Sequence, residues 1–311
     1  MEILKLNPVF KDYIWGGTRL SEDFGFETGF EKTAEGWMLA CHKDGMNTID
    51  GGEFNEMPLD EVIEKTGLEA IAGKNATKFP YFPVLIKLID AYDNLSIQVH
   101  PDDKYAREIE NEFGKTEMWY VLDATEDAQL VYGFKNKITS EQFKKAIEDN
   151  SLMDELNSVK VKKGDLFFIE AGTVHAIGKG ALIAEIQQNS NCTYRVYDYG
   201  RVGKDGKPRE LHVQKAVDVS VTEPPKYDVL NFANEKECTL ASCDLFTVEK
   251  YIVDGELVLS TNAETFNHIL IVDGKGAVNG RDANKGDSFL VPANYGDYII
   301  SGNVETIITK I

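Results

Sequence analysis

The segment after residue 95 alternates apolar and polar positions in the manner of a β-strand. The apolar positions are Ile97 and Val99, and the polar positions are Ser96, Gln98 and His100. Because side chains two residues apart share one face of a strand, the pattern predicts a strand whose polar face carries an amide and an imidazole. Pro101 ends this strand, since proline cannot continue a hydrogen-bonded ladder.

Short apolar runs along the rest of the chain predict further strands. They lie at 37–40, 82–89, 118–122, 166–169, 266–272 and 288–291. Helical spacing of apolar positions is limited to two regions, which are 59–71, interrupted near Gly67, and 139–156. The second region begins with Thr139 and Gln142, which fit a capping box. The pattern therefore predicts a mainly β chain with a few inserted helices.

One strand-and-turn pattern occurs twice. Residues 164–172 read Gly-Asp, an apolar strand and a turn, and residues 286–294 repeat this order. His175 follows the first copy, whereas the second copy has Asp297 at the matching position and is not preceded by a Gln-x-His pair. The repeat predicts two small barrels, of which the second lacks metal ligands. We place the first at 1–222, with the helical insertion near 139–156, and the second at 223–311, joined at Pro224-Pro225.

The polar residues of the first half offer a candidate metal site. Its possible ligands are Gln98, His100, Glu117, just before the 118–122 strand, and His175, just after a glycine turn. Imidazole, carboxylate and amide oxygen all suit a zinc-like divalent ion, and four such ligands leave a position open for substrate. The alternative is that both histidines are ordinary core residues whose hydrogen bonds are satisfied within the protein.

Composition excludes several classes of protein. The chain has 311 residues, 42% of them apolar, and no apolar run approaches the length of a membrane span. Its N-terminus lacks the features of a signal peptide, and the four cysteines show no CxxC spacing, so we predict a cytoplasmic protein with free thiols. The net charge of −19 argues against nucleic acid as a partner.

Four segments together resemble a known family. They read SIQVHPDD, GKTEMWY, EAGTVHA and QNSNCTYRVYDYGR. They are similar to the type I mannose-6-phosphate isomerases in their short bacterial form, which are zinc enzymes of the cupin (jelly-roll) fold. The similarity runs from Trp15-Gly16-Gly17 to about Val219 and is weaker beyond. It implies two cupin barrels and the interconversion of mannose 6-phosphate and fructose 6-phosphate through an enediol(ate).

The resemblance also implies roles for individual residues. The family's metal ligands fall on Gln98, His100, Glu117 and His175, which would hold one Zn²⁺ per chain. Its catalytic residues fall on Arg195 and Glu185, and we add Lys115 as a proton shuttle because it lies two residues before Glu117. Its phosphate-contacting serine falls on Ser96. We expect Arg201 and Lys204, in a Gly/Asp-rich loop, to close over the substrate, and the alternative is that this loop is a solvated hairpin tip.

Two departures from the longer homologues bear on the choice of general base. Glu185 is the preferred carboxylate, since the aspartate of longer homologues is replaced here by Asn191. Their tyrosine two residues after the second histidine is Ile177 in this chain. An anionic sugar phosphate also requires a local basic pocket in so acidic a protein.

The sequence is also compatible with two other functions. One is a metal cupin that acts on another phosphosugar, or that uses iron for oxidation, although the ligand set differs from the usual two-histidine, one-carboxylate triad. The other is a sugar-phosphate-binding cupin without turnover. We expect a small-molecule substrate, no membrane partner, and a monomer, with a dimer as the alternative.

Overall fold

The structure, a computed structural model, describes residues 1–203 and 206–311. The predicted mainly β fold is confirmed. In chain order the strands are β1 (Leu4–Asn7), β2 (Val9–Lys11), β3 (Glu35–Leu39), β4 (Cys41–His42), β5 (Gly45–Met46), β6 (Thr48–Asp50), β7 (Val84–Asp90), β8 (Ile97–Val99), β9 (Glu117–Ala124), β10 (Gln129–Phe134), β11 (Leu156–Lys160), β12 (Asp165–Ile169), β13 (His175–Ile177), β14 (Ala181–Gln188), β15 (Tyr194–Tyr197), β16 (Leu230–Asn231), β17 (Glu237–Ser242), β18 (Thr247–Thr261), β19 (Asn267–Val278), β20 (Arg281–Asn284), β21 (Ser288–Val291) and β22 (Gly296–Lys310).

The helices are short and lie between the strands. They are α1 (Arg19–Glu22), α2 (Leu59–Thr66), α3 (Leu68–Ala72), α4 (Asp103–Ile109), α5 (Ser140–Glu148), α6 (Leu152–Glu155) and α7 (Val213–Val219), with a 3₁₀ helix at Lys74–Lys78. Among the described residues, none of these helices is long and apolar enough to cross a membrane.

Both helical regions predicted from the sequence are present. The first is split into α2 and α3 by Gly67, whose φ of 91° lies in the left-handed region that favours glycine. In the second, the Thr139 side chain accepts a hydrogen bond from the backbone N–H of Gln142, and the Gln142 side chain accepts one from the backbone N–H of Thr139. The predicted capping box is therefore confirmed.

Three large sheets form successive layers. The five-stranded sheet has the order β11-β10-β13-β8-β15, and the seven-stranded sheet has the order β16-β12-β9-β14-β7-β3-β2. An apolar core that includes Trp119, Phe167, Ile183 and Leu130 fills the space between these two sheets. This space is where the polar side chains of β8, β9 and β14 meet, so the candidate site lies between the two sheets.

The third sheet joins both ends of the chain. Its main order is β17-β18-β22-β19-β21-β1-β6, and β20 pairs with β19. Its inner face and the outer face of the seven-stranded sheet share a large apolar core that contains Met118, Ile186, Leu270 and Leu290. The N-terminal strands β1 and β6 thus extend a sheet built mainly from residues after 236. The proposed domain boundary at residue 222 stays a prediction.

A buried histidine ties this third sheet to the layer beside it. His268 Nε2 lies 2.7 Å from Ser288 Oγ, and Ser288 Oγ donates to the backbone oxygen of Met38 in β3 at 2.7 Å. Among the described residues, His268 Nδ1 has no hydrogen-bond partner, and burial lowers the pKa of His268 to about 3. The folded protein therefore holds this imidazole neutral.

We predict that His268 makes the fold sensitive to acid. Its folded pKa lies below the unfolded value near 6.5, so its contribution is present above pH 6.5 and is lost as the pH falls toward 3. Between pH 7 and pH 5 the unfolding free energy is expected to fall by about 2 kcal/mol through this residue. His268→Gln, which keeps a donor toward Ser288, should lose less stability over that range in urea unfolding experiments. An identical loss in the variant and the wild type would contradict the assignment.

Candidate metal centre and active site

Three side chains from both sheets meet in the space between them. His100 follows β8 directly, His175 opens β13 beside it, and Glu117 opens β9 on the opposite sheet. All three are fully or almost fully buried, and their potential ligand atoms lie within 4.8 Å of one another. The structure therefore places together three of the four predicted ligands, although their role as ligands stays a prediction.

Both imidazoles are oriented by backbone carbonyl groups. His100 Nδ1 lies 2.8 Å from the Cys192 oxygen, and His175 Nδ1 lies 2.8 Å from the Thr173 oxygen. A carbonyl oxygen only accepts, so each Nδ1 carries the proton and each Nε2 presents a lone pair. The two Nε2 atoms are 3.1 Å apart. Burial lowers the pKa of His100 and lowers that of His175 to about 4, which keeps both rings neutral.

Glu117 supplies the negative charge of the cluster. Its carboxylate oxygens make no hydrogen bond of acceptable geometry among the described residues, and Oε1 lies 3.3 Å from His175 Nε2. Burial raises the pKa of Glu117 to about 7, although Lys115 Nζ, 3.0 Å from Oε2, partly opposes this. Lys115 lies beside Oε2, but Oε1 has no hydrogen-bond partner among the described residues, and the two imidazole lone pairs face each other at 3.1 Å. Buried acceptors grouped in this way are costly unless a cation binds between them. The donor set therefore fits a divalent metal ion.

The fourth predicted ligand lies at the edge of this cluster. Gln98 is directly opposite His175 in the β8–β13 pairing, and its amide Nε2 is 3.5 Å from His175 Nε2. Ser96 Oγ is 3.4 Å from Gln98 Oε1 on the same strand face. Lys115 reaches the cluster from the other side, with Nζ 3.1 Å from His100 Nε2. The alternation read from the sequence thus gives the correct face for Ser96 and Gln98.

A cavity of about 280 Å³ opens beside the cluster. Five of the residues predicted from the sequence line it, and these are Ser96, Gln98, Lys115, Glu185 and Arg195. Arg195 Nε donates to Ser96 Oγ at 3.2 Å, and its Nη1 donates to the backbone oxygen of Glu210 at 3.0 Å. The cavity therefore combines cationic groups with one wall of the candidate metal site, as a site for an anionic sugar requires.

Sequence reasoning missed a buried ion-pair network in the same cavity. Lys87 Nζ lies 3.0 Å from Glu185 Oε1 and 3.8 Å from Glu35 Oε2. Trp119 donates its indole N–H to Glu185 at 2.8 Å, and Trp37 donates its indole N–H to Glu35 at 2.6 Å. The available signal was the single lysine within the apolar run 82–89, because a charge in a buried strand requires a partner.

The network sets the charge states of its members. Burial opposes ionisation of both Lys87 and Glu185. Their mutual attraction outweighs burial, so the pKa of Lys87 is raised and that of Glu185 falls to about 2, with Lys115 also contributing. Glu185 is therefore a firmly ionised carboxylate and a weak proton acceptor at neutral pH. This argues against the role of general base that the sequence suggested for it.

We predict a large loss of stability when the central cation is removed. Lys87→Met leaves Glu185 and Glu35 buried without their partner, and the unfolding free energy is expected to fall by about 3–5 kcal/mol. Urea unfolding of the variant measures this loss. The triple variant that also carries Glu35→Gln and Glu185→Gln should recover part of it, because the uncompensated charges are then gone. If the unfolding free energy of Lys87→Met falls by less than about 1 kcal/mol, the ion pairs of Lys87 do not stabilise the fold as predicted.

Of the two residues predicted to close over the substrate, the structure describes Arg201 but not Lys204. Arg201 is turned toward Asp198, with Nη2 2.6 Å from Oδ1, and toward the backbone oxygen of Asn94, and it does not line the cavity. Arg209, eight residues later, lines the cavity instead. Lys204 lies outside the described residues. Substrate contact by Arg201 or Lys204 stays a prediction.

Comparison with known proteins identifies relatives along the whole chain. A sequence model of the type I phosphomannose isomerase catalytic domain matches residues 3–151, and one of the mannose-6-phosphate isomerase cupin domain matches residues 236–311. The probable mannose-6-phosphate isomerase GmuF of Bacillus subtilis is 38% identical over 98% of both chains. Mannose-6-phosphate isomerase ManA of the same organism is 38% identical over 100% of this chain and 99% of its own length.

The solved structures agree with the sequence relatives. The crystal structure of mannose 6-phosphate isomerase from B. subtilis superposes with a TM-score of 0.91 at 35% identity, and the match covers 100% of both chains. Similarity in sequence and fold thus extends from one end of the chain to the other, including the strands that surround the candidate site. The chain belongs to the type I phosphomannose isomerase family of enzymes.

Proposed function

We propose that this protein is a zinc-dependent aldose–ketose isomerase that interconverts mannose 6-phosphate and fructose 6-phosphate. One observation carries the proposal in a chain of this family. Gln98 and Lys115, which lie beside the buried cluster of His100, Glu117 and His175, line one cavity together with Arg195 and Ser96. Groups next to the candidate metal site and anion-binding groups therefore flank the same space. The reaction needs both kinds of group, because it moves a proton between C1 and C2 of an anionic sugar through an enediolate.

The metal is the element of the proposal that the donor atoms support most directly. His100, Glu117, His175 and Gln98 would hold one Zn²⁺, an ion that accepts mixed nitrogen and oxygen ligands. When bound, it supplies Lewis acidity that polarises the substrate oxygens and stabilises an anionic intermediate. The Cys192 and Thr173 carbonyls fix the two rings in the tautomer that ligation needs.

Proton transfer is assigned to Lys115. Its Nζ lines the cavity between Glu117 and His100, at 3.0 Å and 3.1 Å, and is the amine nearest the donor cluster among the described residues. An amine held there is positioned to carry a proton to or from the substrate as it isomerises. Glu185 serves this step indirectly, since its fixed negative charge and its bond to Lys87 stabilise the positive charge in the cavity wall.

Arg195 and Ser96 form the anion-binding side of the proposed site. They are hydrogen-bonded to each other, and both line the cavity. A guanidinium group binds phosphate through several charge-assisted hydrogen bonds, and a hydroxyl adds another. These groups provide the local positive region that a protein with a net charge of −19 needs for an anionic substrate.

A coupled assay of mannose 6-phosphate isomerisation tests the proposal. Metal-loaded and chelator-treated wild-type protein should be compared, with the aldose 6-phosphates of glucose and allose as competing substrates. We expect metal-dependent formation of fructose 6-phosphate and much slower conversion of the other sugars. If the protein converts another phosphosugar faster, that sugar is the substrate and mannose 6-phosphate is not. If folded, metal-loaded protein binds mannose 6-phosphate without converting it, the protein has a non-catalytic binding role.

A further inference from the structure

A group of arginines at the outer end of the cavity has more positive charge than its carboxylate partners balance. The group consists of Arg195, Arg201 and Arg209, and the carboxylates within ion-pair distance of it are Asp198 and, at 3.8 Å from Arg201, Asp93. Among the described residues, no carboxylate lies within 4 Å of the Arg195 guanidinium. An excess of positive charge at one spot of a chain with a net charge of −19 is unexpected unless an anion binds there.

Asp198 fixes the direction of Arg209. Its Oδ2 accepts from Arg209 Nε at 2.8 Å and its Oδ1 accepts from Arg209 Nη2 at 2.5 Å, which forms a bidentate pair. Arg201 Nη2 donates to the same Oδ1 from the other side at 2.6 Å, and Asp198 is buried. The carboxylate is thereby held between two guanidinium groups, and Arg209 is held at the cavity.

Two guanidinium nitrogens have no hydrogen-bond partner in the part of the chain that the structure describes. Asp198 uses Nε and Nη2 of Arg209, and Ser96 and the Glu210 carbonyl use Nε and Nη1 of Arg195. Within residues 1–203 and 206–311, neither Nη1 of Arg209 nor Nη2 of Arg195 has a hydrogen-bond partner. Both arginines line the same cavity, so these donors are available to one ligand.

The two arginine charges repel each other across the cavity wall. Burial and the charge of Arg209 both lower the pKa of Arg195 from its usual value. Like charges held together by the fold are stabilised when a group of opposite charge with several acceptor oxygens binds between them. A phosphate dianion has this charge and this number of acceptors.

We propose that Arg209 is a specificity-determining residue that, together with Arg195, binds the phosphate group of the substrate. This inference rests on the proposed function and deepens it, because it explains the choice of a phosphorylated sugar over the free sugar. Asp198 is a positioning residue for Arg209, and Arg201 contributes through Asp198 without facing the cavity.

The test compares Arg209→Met with a matched control. Arg281→Met is the control, since Arg281 also pairs with an aspartate, Asp50, but lies on the third sheet. KM and kcat are measured with mannose 6-phosphate and with mannose, and inorganic phosphate is titrated into metal-free protein by calorimetry. For Arg209→Met we expect KM for mannose 6-phosphate and the Kd for phosphate to rise about 10- to 100-fold. The kcat for mannose 6-phosphate and the rate measured with mannose should be nearly unchanged, which identifies lost binding of the phosphate.

Asp198→Asn supplies a second variant in which Arg209 is intact. It should raise KM in the same direction by a smaller factor with kcat preserved, because Arg209 then lacks its ionic partner. Wild-type KM and phosphate affinity in Arg209→Met would overturn the inference while the isomerase function stands. A lower kcat for both sugars with unchanged KM would also overturn it, since Arg209 would then act in the chemistry. Phosphate binding that depends on Arg209 in a protein that does not isomerise mannose 6-phosphate would support the anion site and reject the proposed function.

Discussion

His100→Ala is expected to abolish stoichiometric zinc binding and to lower kcat/KM for mannose 6-phosphate by about 10³-fold or more. The imidazole of His100 is fully buried, is oriented by the Cys192 carbonyl, and presents Nε2 3.1 Å from His175 Nε2. Its removal leaves a cavity where a donor atom stood and leaves Glu117 facing a single imidazole. The remaining candidate ligands are Gln98, Glu117 and His175, which include only one imidazole, so zinc should be held too weakly to survive dialysis. Metal content after dialysis and the coupled assay measure the two effects.

The matched control for this variant is His268→Gln, which replaces a histidine that is also fully buried but lies on the third sheet. It should keep both its zinc and its activity at neutral pH. Thermal unfolding of the metal-free proteins shows whether His100→Ala is folded. A folded His100→Ala protein that retains zinc and near-normal turnover would contradict the assignment of His100 as a ligand.

Lys115→Met is expected to lower kcat by about 10²- to 10⁴-fold while zinc remains bound. Lys115 Nζ contacts Glu117 and His100 and lines the cavity, and methionine occupies similar space without a transferable proton. The ligand atoms themselves are unchanged in this variant, so metal content should match the wild type. Steady-state kinetics together with metal analysis separate this result from that of His100→Ala.

An exposed lysine provides the control for Lys115→Met. Lys137 forms an ion pair with Glu223 at 2.5 Å on the protein surface, and Lys137→Met should leave kcat and metal content unchanged. Loss of zinc from Lys115→Met would instead indicate that Lys115 supports the metal site. A kcat within about threefold of the wild type would show that another group transfers the proton.

The candidate ligands were predictable because their pattern is local. Ser96, Gln98 and His100 follow the two-residue period of a strand, and His175 follows a glycine turn at the end of an apolar run. These signals lie within ten residues of each side chain and do not depend on which strands become neighbours. The meeting of His100, Glu117 and His175 in the structure agrees with that prediction, while their function as ligands awaits measurement.

The charged residues around the ligands depend on pairing between distant segments. Glu185 is opposite both Lys87 and Trp119 because β14 lies between β7 and β9, and no periodicity in the sequence specifies that order. Once the order is known, the lysine of β7 accounts for the low pKa of Glu185, which conflicts with a general base. Glu185 was predicted from the family resemblance alone, and the sequence pattern does not reveal that Lys87 lies beside it.

The loop after Asp198 is a second region in which the sequence did not predict which cation lines the cavity. A run rich in glycine and charge indicated Arg201 and Lys204 as candidate substrate-binding cations, and nothing in that pattern singled out Arg209. In the structure, Asp198 is within hydrogen-bond distance of both, and only Arg209 lines the cavity. Loop residues are placed by particular hydrogen bonds, which composition does not encode.

We propose that isomerisation requires a metal ion held by the buried cluster. The most direct measurement titrates Zn²⁺ into chelator-treated wild-type protein and records bound metal and mannose 6-phosphate turnover in the same samples. We predict that turnover rises in proportion to zinc occupancy and reaches its maximum at one ion per chain. Turnover that survives complete removal of metal, or full zinc occupancy without turnover, would contradict it.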